Sequence, residues 1–421
     1  MNKIVFLTFF GMLSQHFYAQ ELNVDLELRP RFEYRHGYKT LVPDATDAAT
    51  FVSQRSRLNF NYSSEKLQAF IALQNVRVWG DVNTLSATDI NGTALHEAWA
   101  KAILNQQFSI KVGRQEVIYD DQRIFGNVDW AQTGRSHDAL ILSYRPNTTN
   151  QFDIGLALNA ETETLFDANY NVANYKSFQY IWYHTKLNKL SISALALNTG
   201  FAFDNNGDEK VDYNQTLGAY ANYKSSMWTM EASAYAQTGK VNDRSLSAFN
   251  FSGVFHYQLN SNFNVGLGAE YLSGTDMNTT SSKLKSFNPL FGTNHKFNGW
   301  MDYFYVGNHL NSVGLVDVNL PLSYQKDKFS VNLIPHFFSS AATVVNTLDK
   351  EMSNSLGTEI DVSLGYKIAN DIQLKAGYSQ MFATKTMEIL KAGNSNNNTN
   401  WAWVMFVFKP RLLNYKVAQT Q

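Results

Sequence analysis

From Glu21 to Arg35 apolar and polar residues alternate. Leu22, Val24, Leu26, Leu28, Phe32 and Tyr34 take one parity, and Asn23, Asp25, Glu27, Arg29, Arg31, Glu33 and Arg35 the other. A period of two is that of a strand whose faces meet different surroundings. A soluble sandwich would bury the apolar face and wet the other, whereas an outer-membrane barrel turns the apolar face to lipid and the charged face to its lumen. The alternation returns at Ser53–Tyr62, where Leu58, Phe60 and Tyr62 oppose Arg55, Arg57, Asn59 and Asn61. At Leu95–Leu104, Ala98, Ala100, Ala102 and Leu104 oppose Glu97 and Lys101, with Trp99 and Ile103 on the charged side. Further runs span Phe152–Leu158, Tyr213–Tyr223, Trp228–Thr238, Phe249–Leu259, Phe263–Tyr271, Phe329–Phe337, Leu356–Tyr366 and Ile372–Tyr378. Several carry Gly or Ser on the polar face, which suits a lumen better than a packed core.

The connections fix the number of strands. Short polar turns fall at Ser63–Lys66, Asn105–Gln107, Pro146–Asn150, Leu187–Asn188, Lys224–Ser226, Asn260–Ser261, Gln325–Asp327 and Ala369–Asn370. Between them lie longer segments at 36–51, 80–94, 119–136, 161–174, 199–212, 239–247, 274–310, 340–355 and 383–399. Eight short turns interleaved with nine long loops require about 18 strands. An all-β, transmembrane antiparallel β-barrel with short periplasmic turns and long extracellular loops is the expected architecture. The last strand is expected at Trp401–Lys409, with Pro410–Gln421 running on beyond it. Trp79, Trp130, Trp182, Trp228, Trp300, Trp401 and Trp403 lie near strand ends or loop bases, where an indole can sit at the lipid–water boundary; the alternative is burial.

Composition agrees with a barrel. Aromatic residues make up 14% of the chain, Pro numbers 7, and mean hydropathy is −0.30. A membrane-spanning helix needs about 20 consecutive apolar residues, and nothing after residue 20 supplies them. Met1–Ala19 reads as a secretory signal, with Lys3 at its basic end, Ile4–Leu13 as its apolar core and a cleavage site before Gln20. Residues 20–421 then form a single barrel domain. Cysteine is absent, so the strand ladder itself must hold the fold. A net charge of −1 disfavours nucleic acid as a partner. Charge is nonetheless unevenly spread: Arg29, Arg31, Arg35, Arg55, Arg57, Arg77, Arg114, Arg123, Arg135 and Arg145 are ten of the twelve arginines. Carboxylates are as frequent in the same segment, so a ladder of structural ion pairs competes with an anion-binding wall.

Phe108–Pro146 concentrates that question. Two strand-like runs, Phe108–Tyr119 and Ser136–Arg145, flank a polar segment carrying Asp120, Asp121, Arg123, Asp129 and Arg135. Guanidinium groups match carboxylates two bonds at a time, so the segment reads either as an ion-pair network or as a site for an anionic ligand. Gly113-Arg114-Gln115, Asp121-Gln122-Arg123, Trp130, Gly134-Arg135 and Asp138 together resemble the signature of the alginate-export family of bacterial outer-membrane β-barrel porins. That resemblance implies the outer membrane as location, an anionic polysaccharide as cargo and periplasmic export partners that hand it over. Uptake of small anionic or oligosaccharide solutes is the alternative. Alternation puts Arg29, Arg31, Arg55, Arg57 and Lys101 on lumen faces, and the family motif adds Arg114, Arg123 and Arg135 as substrate-binding candidates. Strict parity sets Arg114 with Phe108, Ile110 and Val112, unless a bulge at Gly113 re-aims it.

Other chemistry is weakly signalled. His96-Glu97 lacks the second histidine of a zinc-protease helix, and no Gly-x-Ser-x-Gly elbow occurs. A Ser-His pair across strands, using His137, His184, His256 or His336, is a minor alternative to a channel. No catalytic residue, metal ligand or cofactor is assigned. Asp204–Asp212 places oxygen ligands at alternate positions but lacks the glycine and final glutamate of a calcium loop, so a solvated acidic loop is expected. Asn394–Asn400 reads as an outer loop, and 274–310 as a long loop that either folds inward or lies as an exposed flap.

Overall fold

The computed structural model describes residues 20–86 and 88–417, so the expected signal segment lies outside the described residues. Eighteen antiparallel strands close into one barrel. The first strand, Glu21–His36, pairs along its length with the second, Ala49–Ser63. Its other edge meets the last strand, whose two halves are Thr399–Phe408 and Arg411–Lys416. The break falls at Pro410, which has no N–H to give to the ladder. Its carbonyl is kept in play by Leu26 N at 3.1 Å. Arg411–Lys416, expected to run past the barrel, therefore completes its closing strand. Pro321 divides another strand in the same way, into Leu315–Asn319 and Leu322–Lys326, both paired with Phe263–Leu272.

The short turns gather on the periplasmic rim, and the opposite rim departs from the sequence reading at two places. The segments 199–212 and 239–247 are not loops. Strand pairing continues to Asn205↔Asp208 and Val241↔Arg244, closed by the two-residue turns Asn206-Gly207 and Asn242-Asp243 with φ between +50° and +93°. Asn-Gly is a hairpin signal because both turn residues need positive φ. The acidic run 204–212 is thus a hairpin tip, in which Asp204 Oδ1 accepts Gly207 N at 2.7 Å.

The tryptophans also divide. Trp79 is 59% exposed on the outside, and Trp228 stacks on Tyr223 at 4.6 Å. Trp130, Trp182, Trp300, Trp401 and Trp403 instead face the interior, against the girdle expectation. Parity explains the last pair: Trp401, Trp403, Met405 and Val407 are buried while Val404 and Phe406 face outward. On the periplasmic rim the lipid-facing aromatics are Phe, Tyr and one Trp; Phe108–Tyr144 and Phe152–Tyr183 stack across strands at 4.5 Å.

What fills the barrel is chain. The segments 116–136 and 273–314 fold inward, and Phe125 and Phe291 bridge them in parallel with their rings 5.4 Å apart. Against these pack Phe178, Tyr180, Leu272, Leu315 and Phe338 from the wall. Of the two alternatives for the long loop 274–310, the inward one holds.

Candidate functional site: the constriction

The first two strands bring like charges face to face, since Arg29 pairs with Arg55 in register. Directly opposed cations on one sheet face repel, and the inward segment 116–136 supplies what lies between them. Asp129 receives Arg55 Nη1 at 2.7 Å and Arg29 Nη1 at 3.3 Å. The remaining donors take backbone carbonyls: Arg29 Nη2 reaches Asp129 O at 2.7 Å, Arg31 Nη1 reaches Trp130 O at 2.7 Å, Arg55 Nε reaches Gln132 O at 2.6 Å and Arg57 Nη2 reaches Thr133 O at 3.3 Å. A guanidinium offers five donors in a fixed fork, which suits it to a turn of exposed carbonyls as well as to carboxylates. Burial pushes the Asp129 carboxyl up, but Arg29 and Arg55 outweigh it and hold the group well below the usual carboxylate range. At the base of the segment, His96 Nε2 lies 2.8 Å from Glu116 Oε1, and Glu97 Oε2 accepts Glu116 N at 2.9 Å. His96, Glu97 and Glu116 have ligand atoms within 4.8 Å of one another, close enough for a metal ion. Their polar atoms serve here as a latch.

The second inward segment is held by the opposite chemistry. Carboxylates on the wall accept its N–H groups: Glu359 Oε1 from Met301 N at 2.7 Å, Asp361 Oδ2 from Trp300 N at 3.1 Å, and Glu270 Oε2 from Asn298 Nδ2 at 2.8 Å. Gly299, at φ +83°, is what lets the chain come so near, because a Cβ there would lie 2.7 Å from the Glu359 carboxylate. Arg123 crosses from the first segment to this wall, with Nη2 2.6 Å from Glu270 Oε1 and 3.0 Å from Asn298 Oδ1. Arg135 Nη1 donates to Gly292 O at 2.7 Å.

Where the two segments meet, the rings of Trp130 and His295 lie parallel with centroids 4.0 Å apart, and the Arg31 guanidinium sits 4.1 Å from the centroid of the Trp130 ring. Trp401 and Trp403 close on the same indole edge-on, at 5.6 and 4.9 Å. Trp130 and Asn294 line a chamber on each side. The outer one, about 470 Å³, includes Arg31, Arg35, Arg77, Glu33 and Asp81. The inner one, about 400 Å³, has four cations, Arg29, Lys296, Lys375 and Lys409, around the single carboxylate of Asp129, with Trp300 and Trp403 beside Trp130.

Sequence reasoning therefore named residues that the fold uses in different ways. Arg29, Arg31, Arg55 and Arg57 do come together, but much of their bonding capacity is spent on the inward segment. Arg123 and Arg135 tie that segment to the other one. Lys101 faces the lumen lower down, opposite Lys111. Arg114 stays outside: it is 43% exposed and pairs with the exposed Asp138 at 2.8 Å. Gly113 does adopt φ +123°, because a Cβ would meet Ala98 O at 2.3 Å. It does not swing Arg114 inward, so the expectation of a lumen position for that arginine is corrected. Lys375 and Lys409 were missed, although Lys375 shares the polar parity of Gln373 and Ser379 in its strand; Lys296 lay in a segment without periodicity.

Comparison with known proteins agrees with this architecture. The family described as alginate export matches residues 20–401. A search of curated protein sequences finds no match. Among solved structures, Acinetobacter baumannii OccAB4 is similar with a TM-score of 0.64 at 11% identity, over 93% of this chain and 98% of that one. Pseudomonas aeruginosa OpdO gives 0.62 at 14% identity over 93% and 98%. A BenF-like porin from Pseudomonas fluorescens Pf-5 gives 0.61 at 14% over 93% and 99%. At these identities the likeness is one of fold.

Proposed function

The chain belongs to the alginate-export family, a porin channel of the bacterial outer membrane, and on that footing we propose that its solute is an anionic, uronate-type saccharide moving passively through the constriction. The observation that carries this is the inner chamber, with four cations to one carboxylate and three indoles alongside. Lysine ammonium groups hold carboxylates as mobile point charges, and indole faces suit the apolar face of a sugar ring. Contacts of this strength release as readily as they form, which conduction requires. In the export reading the polymer is handed over by periplasmic partners at the short-turn rim. A second reading, uptake of small anionic or oligosaccharide solutes, is favoured by Arg123, whose bridge to Glu270 ties the inward segment across the lumen.

The test is the double substitution Lys375→Ala with Lys409→Ala, assayed in planar bilayers. The anion/cation permeability ratio should fall and block by uronate oligomers should weaken, with heat-modifiable mobility retained. Wild-type values for both would overturn the reading. Liposome swelling with monomeric and polymeric uronates separates the two cargo sizes.

A further inference from the structure

A second set of cations lies lower in the barrel, and it differs from the arginine cradle in having nothing to hold. Lys101 and Lys111 face each other directly across neighbouring strands, both on the lumen side. Arg145 shares the lumen parity of Ser143, which pairs with Ser109 two residues before Lys111. Lys186 completes the group from the strand Ser177–Leu187. Among the described residues none of these four forms a salt bridge, whereas Arg29, Arg31, Arg55 and Arg57 all do. Of the carboxylates around them, Asp153 accepts from Gln151 Nε2 at 2.9 Å and from Tyr119 Oη at 2.9 Å, and Glu97 accepts from Trp99 Nε1 at 3.1 Å and from Glu116 N at 2.9 Å.

Arg145 and Lys186 line a bay of about 640 Å³ at the short-turn rim, together with His184 and the amides of Gln107, Asn150 and Gln151 and with no carboxylate in its lining, while Lys101 and Lys111 stand on the lumen face beyond it. That volume is in the range of small-molecule sites, roughly 300–1,000 Å³. Above the bay Tyr119 stacks on Trp182 at 4.4 Å, and Trp182 Nε1 donates to Asp120 at 3.1 Å. Like charges set opposite each other cost stability, and Arg145 and Lys186 stand without an ion pair among the described residues in a concave, amide-lined space, so the arrangement points to an anion supplied from outside. Flat surfaces are present too, since His184 lies parallel to Trp182 and Lys111 covers Trp99 at 4.1 Å.

We propose that this bay is a capture site for an anionic saccharide at the periplasmic mouth, separate from the constriction and feeding it by raising local solute concentration. The proposal rests on the anionic-saccharide reading of the channel. It assigns Arg145 and Lys186 to solute contact in the bay, with Lys101 and Lys111 next on the lumen face. A charged cleft accelerates encounter, with gains of about 10-fold to 10³-fold at low salt. The bay should therefore act on the rate of arrival from one side only.

The experiment is single-channel block by a uronate oligomer, added on the short-turn side or on the loop side, with a neutral malto-oligomer of equal length as control. The triple variant Lys101→Gln, Arg145→Gln, Lys186→Gln should slow the blocking on-rate from the short-turn side about 10-fold and leave block from the loop side unchanged. The charge-keeping pair Arg145→Lys with Lys186→Arg should be blocked at the wild-type rate, which separates charge from packing. If wild-type channels are blocked and the triple variant is blocked at the wild-type rate from both sides, the bay is refuted and the chamber reading stands. If the triple variant loses block from both sides alike, one-sided capture is refuted. If wild-type channels ignore the oligomer from either side, both readings fall.

Discussion

The two walls of the constriction use inverse solutions to one problem. An inward-folded segment carries backbone N–H and C=O groups away from bulk water, and each needs a partner. The arginine wall answers the carbonyls of Asp129–Thr133, and the carboxylate wall answers the amides of Trp300 and Met301. The first grip is multidentate: Arg55 alone bonds Glu27, Asp129, Ala131 and Gln132. The second is built from single bonds at a glycine. A buried cation cluster can thus be scaffold, and on the proposed function cargo contact falls mainly to lysines outside that cluster. Charge density by itself does not distinguish the two.

Breaking the arginine grip should have the largest effect. Arg55→Met removes a fully buried charge from Glu27 and Asp129, and losing one partner of a buried pair costs about 3–5 kcal/mol. Thermal denaturation in detergent should show a marked fall in Tm, and single-channel conductance should rise as segment 128–134 leaves the lumen. Unchanged conductance would mean the segment is held by its aromatic contacts instead. On the other wall, Gly299→Ala forces a Cβ against Glu359 and a residue into positive φ, with a penalty of about 1–3 kcal/mol. A smaller drop in Tm is expected, with noisier open-channel current. If its effect equals that of Arg55→Met, the walls are equivalent and the contrast fails. Least affected should be Arg114→Ala: its pair with Asp138 is exposed, such pairs contribute about 0–1 kcal/mol, and the residue faces away from the lumen. Any change in ion selectivity there would place Arg114 in the solute path after all.

The barrel was legible in the sequence because strand faces meet lipid on one side and a polar interior on the other, so period two survives in residue after residue. Strand number followed from turn spacing even where two loops proved to be hairpin tips, since a hairpin and a loop both join neighbouring antiparallel strands. The interior was less legible. Trp401 and Trp403 sit on the inward parity, but tryptophan at a strand end suits lipid headgroups equally well, and nothing local reveals that Trp130 will arrive to pack on them. Arg29, Arg31, Arg55 and Arg57 were found by parity; their engagement with carbonyls 74 or more residues away depends on a tertiary fold of segment 116–136 that has no periodic signature. Lys375 was readable by the same parity and was overlooked because lysine is spread evenly through the chain.

The anchors of the inward segments come from strands far apart in the chain: Arg29 and Arg55 near its start, Glu270, Glu359 and Asp361 in its second half. Arg123 meets Glu270 only after the strands between them have been laid down, and Tyr303 reaches Gly37 across most of the molecule. Contacts of such long sequence separation form late. Assembly should therefore pass through a stage in which the ladder is complete and the interior still empty. Refolding the protein directly into a planar bilayer should catch this stage as large early conductance steps that shrink with time. For that interval the newborn barrel is an unguarded hole in the membrane it serves, and the speed with which its own chain stoppers it becomes a quantity on which the cell depends.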